Sequence, residues 1–256
     1  MRIIVFIIFS LLLIQCKNES GQLALLHGKI NNSSFDTLRL SGNNGNHITT
    51  TDKDGNFQFN LKVDDGYYKL SVKDIQVTLF LNPTDTLNMT FDLVDFNNSI
   101  HYSGKSKDVN KKLISLSKGK PAPEFSYKDI KGNLVSLSDF KGKYIYIDVW
   151  STTCGSCRKG LPKLEELIES FKNKNIVFLG VSLDSKIEKW RKFVEEKNMK
   201  GIQLFGEGWN CQFVKDYAVE SNPRFILIDK NQSILDVCAP SPSENINDVL
   251  KNLEGI

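Results

Sequence analysis

Seven consecutive residues, Tyr144-Ile-Tyr-Ile-Asp-Val-Trp150, form a run broken in its apolar character only by Asp148. No other feature restricts the fold as much. A strand with one wet face alternates apolar and polar positions, so a run without alternation belongs in a sheet covered on both sides. Helical spacing follows in Leu161, Leu164, Leu167, Ile168 and Phe171, and then a second buried-strand run over 176–183. Ile187, Trp190, Phe193 and Val194 make the apolar stripe of a further helix, opened by Ser185-x-x-Glu188 in the pattern of a capping box. A short strand at 202–205, a short helix within 209–217, a hairpin at 224–229 and 233–238, and a closing helix carrying Ile246, Val249, Leu250 and Leu253 complete the region. Strands that alternate with helices and end in a hairpin predict an α/β sheet of mixed strand direction, flanked by helices.

Residues 23–102 obey a different period. Phe57-Gln-Phe-Asn-Leu61 alternates strictly, and Thr37–Leu40 and Leu79–Leu81 are short strand-like runs. Turn signals separate them: Gly42-Asn-Asn-Gly45, Asp54-Gly-Asn56, Asp64-Asp-Gly66 and Asn82-Pro-Thr-Asp85. Short strands with such punctuation predict an all-β, sandwich-like domain. His27 and His101 stand without metal-ligand spacing. Residues 103–117 are polar and basic and read as a linker, with a helical turn near 109–116, leaving 118–256 for the α/β domain.

The N-terminus carries an address. Arg2 precedes an apolar run from Ile3 to Ile14 that is too short to span a bilayer comfortably but suits the core of a signal peptide. The run ends in Leu12-Leu-Ile-Gln-Cys16, which resembles a bacterial lipoprotein signal with Cys16 as the lipidated residue; 17–22 then reads as a tether. Gln15 departs from the small residue usual before that cysteine. This reading puts the rest of the chain in the cell envelope, facing the periplasm and anchored by lipid. The net charge is only +3, with Lys and Arg scattered among acids, so charge gives no sign of nucleic-acid binding.

The chemistry lies in Trp150-Ser-Thr-Thr-Cys154-Gly-Ser-Cys157. A Cys-x-x-Cys that follows a buried strand and opens a helix places its first thiol among unpaired N–H groups at the positive end of the helix dipole. A thiolate is stabilised there, so Cys154 becomes the nucleophile. Cys157, one turn on, can resolve the mixed disulfide. A zinc half-site would need a second ligand pair, which Cys211 and Cys238 do not supply, so neither metal nor cofactor is expected beyond the cysteine pair itself.

These residues resemble the thioredoxin superfamily. Asp148 matches its buried acid, which serves as proton acceptor for the inner thiol. Trp150 matches the aromatic residue before the motif, Pro162 the kinking proline of the first helix, and Asn222-Pro223-Arg-Phe-Ile-Leu-Ile-Asp229 the cis-proline loop. The resemblance implies that Trp150, Asn222 and Pro223 face the substrate. Gly119-Lys-Pro-Ala-Pro-Glu-Phe125 and Gly132–Lys143 are similar to the opening of the TlpA/ResA-like branch, and the β-rich region resembles a domain of unknown function in Bacteroidetes-type lipoproteins. That branch implies protein thiols and disulfides as substrates, reduction as the direction, apocytochrome c among the targets and a membrane electron donor. Thr153, Gly155-Ser156, Gly160 and Asn222 depart from its usual residues. The fold would bring Cys211 and Cys238 to one end of the sheet, as a second disulfide or as two free thiols. Two other functions stay open: a thiol peroxidase of the peroxiredoxin type, since Ser151 lies three residues before Cys154, and a binding module centred on the β domain.

Overall fold

The computed structural model describes residues 23–42 and 45–256; the signal segment, Cys16, the tether and the Asn43-Asn44 turn lie outside the described residues. The N-terminal strands are β1 (Leu23–Asn31), β2 (Thr37–Gly42), β3 (Gly45–Thr50), β4 (Asn56–Lys62), β5 (Gly66–Val72), β6 (Ile75–Leu81) and β7 (Thr86–Asp92). A single turn, α1 (Phe96–Ser99), leads to β8 (His101–Ser103) and then to the helix α2 (Lys107–Ser115). Two four-stranded sheets result, ordered β4-β1-β7-β8 and β3-β2-β5-β6. All neighbours are antiparallel except β1 and β7. Alternation does the sorting. Phe57, Phe59 and Leu61 of β4 point inward and meet Leu38, Leu40, Leu70 and Leu79 of the other sheet in one apolar core.

The segment read as a linker is more than one. α2 buries Leu113 and Asn110, and the Asn110 amide caps the edge of β6: its Oδ1 accepts the Phe80 N–H at 2.8 Å and its Nδ2 donates to the Phe80 carbonyl at 3.0 Å. Polar composition concealed this, because two of its polar residues, Ser106 and Asn110, are buried and hydrogen-bonded.

The second region contains β9 (Ser126–Asp129), β10 (Leu134–Ser136), β11 (Tyr144–Trp150), α3 (Gly155–Ser170), β12 (Ile176–Ser182) and α4 (Ile187–Lys197). It ends with β13 (Ile202–Phe205), α5 (Gln212–Asp216), β14 (Arg224–Ile228), β15 (Ile234–Asp236) and α6 (Ile246–Lys251). Its seven strands are ordered β10-β9-β13-β12-β11-β14-β15, with β11 parallel to β12 and antiparallel to β14. All seven residues of β11 are buried, as the unbroken run requires. Ile145, Ile147 and Val149 enter the core beneath α2 and α5, which also takes Phe80 from the β sandwich. Tyr144 and Tyr146 face α3 and α6 with Leu164, Leu167 and Ile246. Asp148 shares the parity of those tyrosines, and so its side chain looks toward α3.

The capping box expected at Ser185-x-x-Glu188 does not form. Lys186 is the N-cap of α4 and no side chain caps it. Trp190 and Val194 are nevertheless buried, so packing of the apolar stripe holds this helix.

Candidate redox site

β11 ends at Trp150, and the chain reaches α3 through Ser151, Thr152 and Thr153. This short crossing is pinned by a carboxylate the sequence reading missed. Asp184, buried just past β12, accepts from the Thr152 N–H at 2.8 Å, the Thr152 hydroxyl at 2.6 Å and the Ser182 hydroxyl at 2.7 Å. The signal lay in a Ser-x-Asp at the end of a parallel strand, but nothing local linked it to residue 152.

Cys154 is the N-cap of α3, and its Sγ accepts the Cys157 N–H at 3.1 Å. The sulfur thus fills the place of a capping oxygen. Cys154 is half-buried and Cys157 is 7% exposed, and the two form a disulfide with Cα atoms 5.3 Å apart. An outer sulfur open to a partner and an inner one shielded from it are what sequential attack and resolution need.

The Asn222–Pro223 bond is cis. It presents the Asn222 carbonyl oxygen 3.7 Å from Cys154 Sγ, while Asn222 Nδ2 donates to Ser151 Oγ at 3.2 Å. Asparagine before the proline, unusual by resemblance, thereby ties the proline loop to the end of β11. The same bond occupies the Ser151 hydroxyl that the peroxidase reading singled out.

Asp148 is buried, and burial alone lifts its carboxyl to about 7. It lines a cavity of about 120 Å³ together with Cys157, Leu164, Pro223 and Phe225, so acid and inner thiol share one enclosed space. Its Oδ1 has no hydrogen-bond partner among protein groups. The neighbour across β12 is Gly180, which pairs with Asp148 on one side and Gln203 on the other. A Cβ at Gly180 would stand 2.1 Å from Gln203 Oε1, so only glycine lets that amide lie across the strand.

One expectation is corrected, and one open alternative is decided. Trp150 does not face a substrate: it is 1% exposed and packs with Phe193 at 5.6 Å beneath the cysteines. Cys211 and Cys238 do not form a disulfide; they are the free cysteines among the described residues. Their thiols address different neighbours, Cys211 the Tyr127 hydroxyl and Cys238 the Arg224 and Asp236 side chains. Burial pushes the Cys238 thiol up to about 11, which keeps it protonated at neutral pH. Among the described residues no cluster of three or more His, Cys, Asp or Glu side chains could hold a metal, and no helix is long and apolar enough to cross a membrane.

A bridged Cys-x-x-Cys capping a helix, an acid behind it and a cis-proline opposite it define a thiol–disulfide oxidoreductase of the thioredoxin superfamily, on its TlpA/ResA-like branch. The Redoxin family model matches residues 117–253, more than half of the chain, and the chain belongs to that family. It is similar to the thiol-disulfide oxidoreductase ResA of Bacillus thuringiensis subsp. konkukian, 29% identical over 136 residues, covering 53% of this chain and 78% of the relative. It is also similar to the thioredoxin domain of a thiol-disulfide oxidoreductase from Bacteroides vulgatus, at 34% identity and a TM-score of 0.50, over 55% of this chain and all of that one (100%). A second solved chain from Bacteroides vulgatus superposes with a TM-score of 0.51 at 38% identity, over 55% of this chain and 99% of its own.

Proposed function

We propose that the protein reduces disulfides of other proteins outside the cytoplasm, with Cys154 attacking and Cys157 resolving. The observation that carries this is the pairing of a half-buried Cys154 at a helix N-terminus with a shielded Cys157 that shares a cavity with Asp148. In the reduced enzyme the Cys154 thiolate attacks one sulfur of a substrate disulfide, forming a mixed disulfide and releasing the other substrate sulfur as thiolate. Cys157 then gives its proton to Asp148 and attacks Cys154 Sγ. The mixed bond breaks, the second substrate thiolate leaves, and the Cys154–Cys157 disulfide carries the two electrons' worth of oxidation. A carboxyl that titrates near neutrality is suited to taking and returning that proton.

The N-terminal pattern ending at Cys16 supports a membrane-anchored, extracytoplasmic setting, and that setting calls for a dithiol donor at the membrane to reduce the pair again. Resemblance to the ResA-like branch supports apocytochrome c cysteines among the substrates.

The test is the reduction potential of the pair, read by equilibration in glutathione or dithiothreitol buffers. A value near about −270 mV is expected; a value near about −120 mV would belong to an oxidant and overturn the direction. Cys154→Ser should abolish turnover of a protein disulfide. Consumption of hydrogen peroxide by the reduced enzyme at a rate matching disulfide exchange would install the peroxidase reading instead.

A further inference from the structure

The β sandwich touches the segment that leads to the cis-proline, and Tyr67 makes the hydrogen bonds there. β5 alternates: Tyr68, Leu70 and Val72 fill the sandwich core, while Tyr67 and Lys69 turn toward the α/β domain. The Tyr67 hydroxyl donates to the Ala218 carbonyl at 2.7 Å and accepts the Glu220 N–H at 2.7 Å. Its ring lies under the Arg224 guanidinium, 3.8 Å from carbon to ring centroid, and packs edge-on against Phe80 at 5.3 Å.

Arg224 is only 2% exposed, and no carboxylate stands within ion-pair distance of it among the described residues. Its charge is spent on backbone: Nε donates to the Val237 carbonyl at 2.7 Å, Nη1 to Ala218 at 3.0 Å and Nη2 to Tyr217 at 3.4 Å. A buried cation held by carbonyls and an aromatic face is a costly arrangement that stays put only while every partner is present. Ala218 adopts a left-handed φ of +50°, a conformation a non-glycine residue holds only under constraint, and its carbonyl takes both the tyrosine and the arginine. Residues 218, 220 and 224 bracket the cis bond at 222–223, whose carbonyl faces Cys154.

We propose that Tyr67 is a positioning residue of the redox site: from the β sandwich it fixes the loop 218–223 that receives an extended protein substrate opposite Cys154. The proposal rests on the reading that proteins are the substrates. A loop ordered before binding spares the complex the entropy of ordering it, so the benefit falls on substrates that lie along the loop and not on small disulfides that touch only the sulfur.

The experiment compares full-length wild type with Tyr67→Phe, which keeps the ring against Arg224 and Phe80 and removes both hydrogen bonds. Insulin serves as the protein disulfide, hydroxyethyl disulfide as the small one and dithiothreitol as the electron donor. The expected result is a rise of about tenfold in KM for insulin, with kcat and the rate on hydroxyethyl disulfide within about twofold of wild type. A lowered Tm with unchanged KM would overturn the proposal, leaving Tyr67 as a structural contact only. So would an equal rise in KM in Lys69→Ala, which breaks the neighbouring pair with Asp236 and leaves the loop bonds intact. Should Tyr67→Phe fail to fold, amide exchange in the wild type decides: slow exchange at Glu220 supports the proposal, and exchange at the rate of an open loop overturns it. A wild type inert toward insulin but active on hydroxyethyl disulfide would remove the parent reading and the proposal together, and is told apart because no variant is needed to see it.

Discussion

The two halves of this chain solve burial in opposite ways. In the sandwich, β4 alternates strictly between buried and exposed, so each polar side chain has a wet face to occupy and none need enter the core. In the α/β region, β11 has no wet face, and any polar residue on it must be taken out of water. Asp148 is its one charged residue. The comparison teaches where chemistry can live: a strand with one wet face can leave its carboxylates in water, while a strand covered on both sides traps a carboxylate and shifts its pKa. Only the second can keep an acid near neutrality behind a thiol.

The strongest way to break this contrast is to neutralise the trapped acid. Asp148→Asn should slow resolution by Cys157 about a hundredfold near neutral pH, visible as accumulated mixed disulfide. It should also stabilise the protein, with a definite pH dependence. The carboxyl titrates near 7 in the folded chain against 3.8 ordinarily, so the neutral form is the one the fold prefers. The stability that goes with it is complete below the unfolded value and is lost as pH rises toward 7. The full loss is about 4 kcal/mol as an upper bound, from about 1.4 kcal/mol per pKa unit. Urea midpoints of Asp148→Asn and wild type should therefore coincide near pH 4 and separate in the variant's favour at pH 8. A gap that is equal at both pH values would show that the acid is not trapped.

A deletion in the sandwich should do the converse. Leu26 is 1% exposed within the β1 side of that core. Leu26→Ala should cost about 3 kcal/mol of stability while the rate on hydroxyethyl disulfide stays unchanged below the lowered Tm. The smallest effect is expected at the second cysteine couple. Unfolding the oxidised protein without reductant should expose Cys211 and Cys238 to alkylation, leaving Cys154 and Cys157 protected. Mass mapping of the alkylated peptides would sharpen the contrast between a bridged pair and two free thiols.

Much of this is legible in the sequence. The unbroken run at 144–150 demands two-sided burial, and Cys-x-x-Cys after it demands a helix N-terminus; these are local, periodic signals. The acid and the cis-proline were found through resemblance, because their meaning depends on what stands opposite them. What escaped are contacts between distant segments. Asp184 holds Thr152 across 32 residues, and Tyr67 holds Ala218 across 151, with no period or spacing to announce either. Trp150 misled for a related reason: its place beside the motif is sequence proximity, and its side chain points inward. The Ser185–Glu188 pattern misled because a capping box is a geometry, and the chain enters α4 one residue later with no side chain in place.

The capping sulfur of Cys154 makes the electron-transfer properties of this enzyme partly a matter of helix energetics. In the oxidised chain the Cys157 N–H rests on a neutral disulfide sulfur. After reduction the same N–H and the end of α3 meet a thiolate, a better acceptor and a charge of the favoured sign. A helix end that gains about 1 kcal/mol more from the thiolate shifts the couple by about 20 mV toward the oxidising side. The first turn of α3 is therefore a participant in the redox couple, better satisfied by the dithiol than by the disulfide, and substitutions that fray or firm that turn should tune the potential without touching either sulfur.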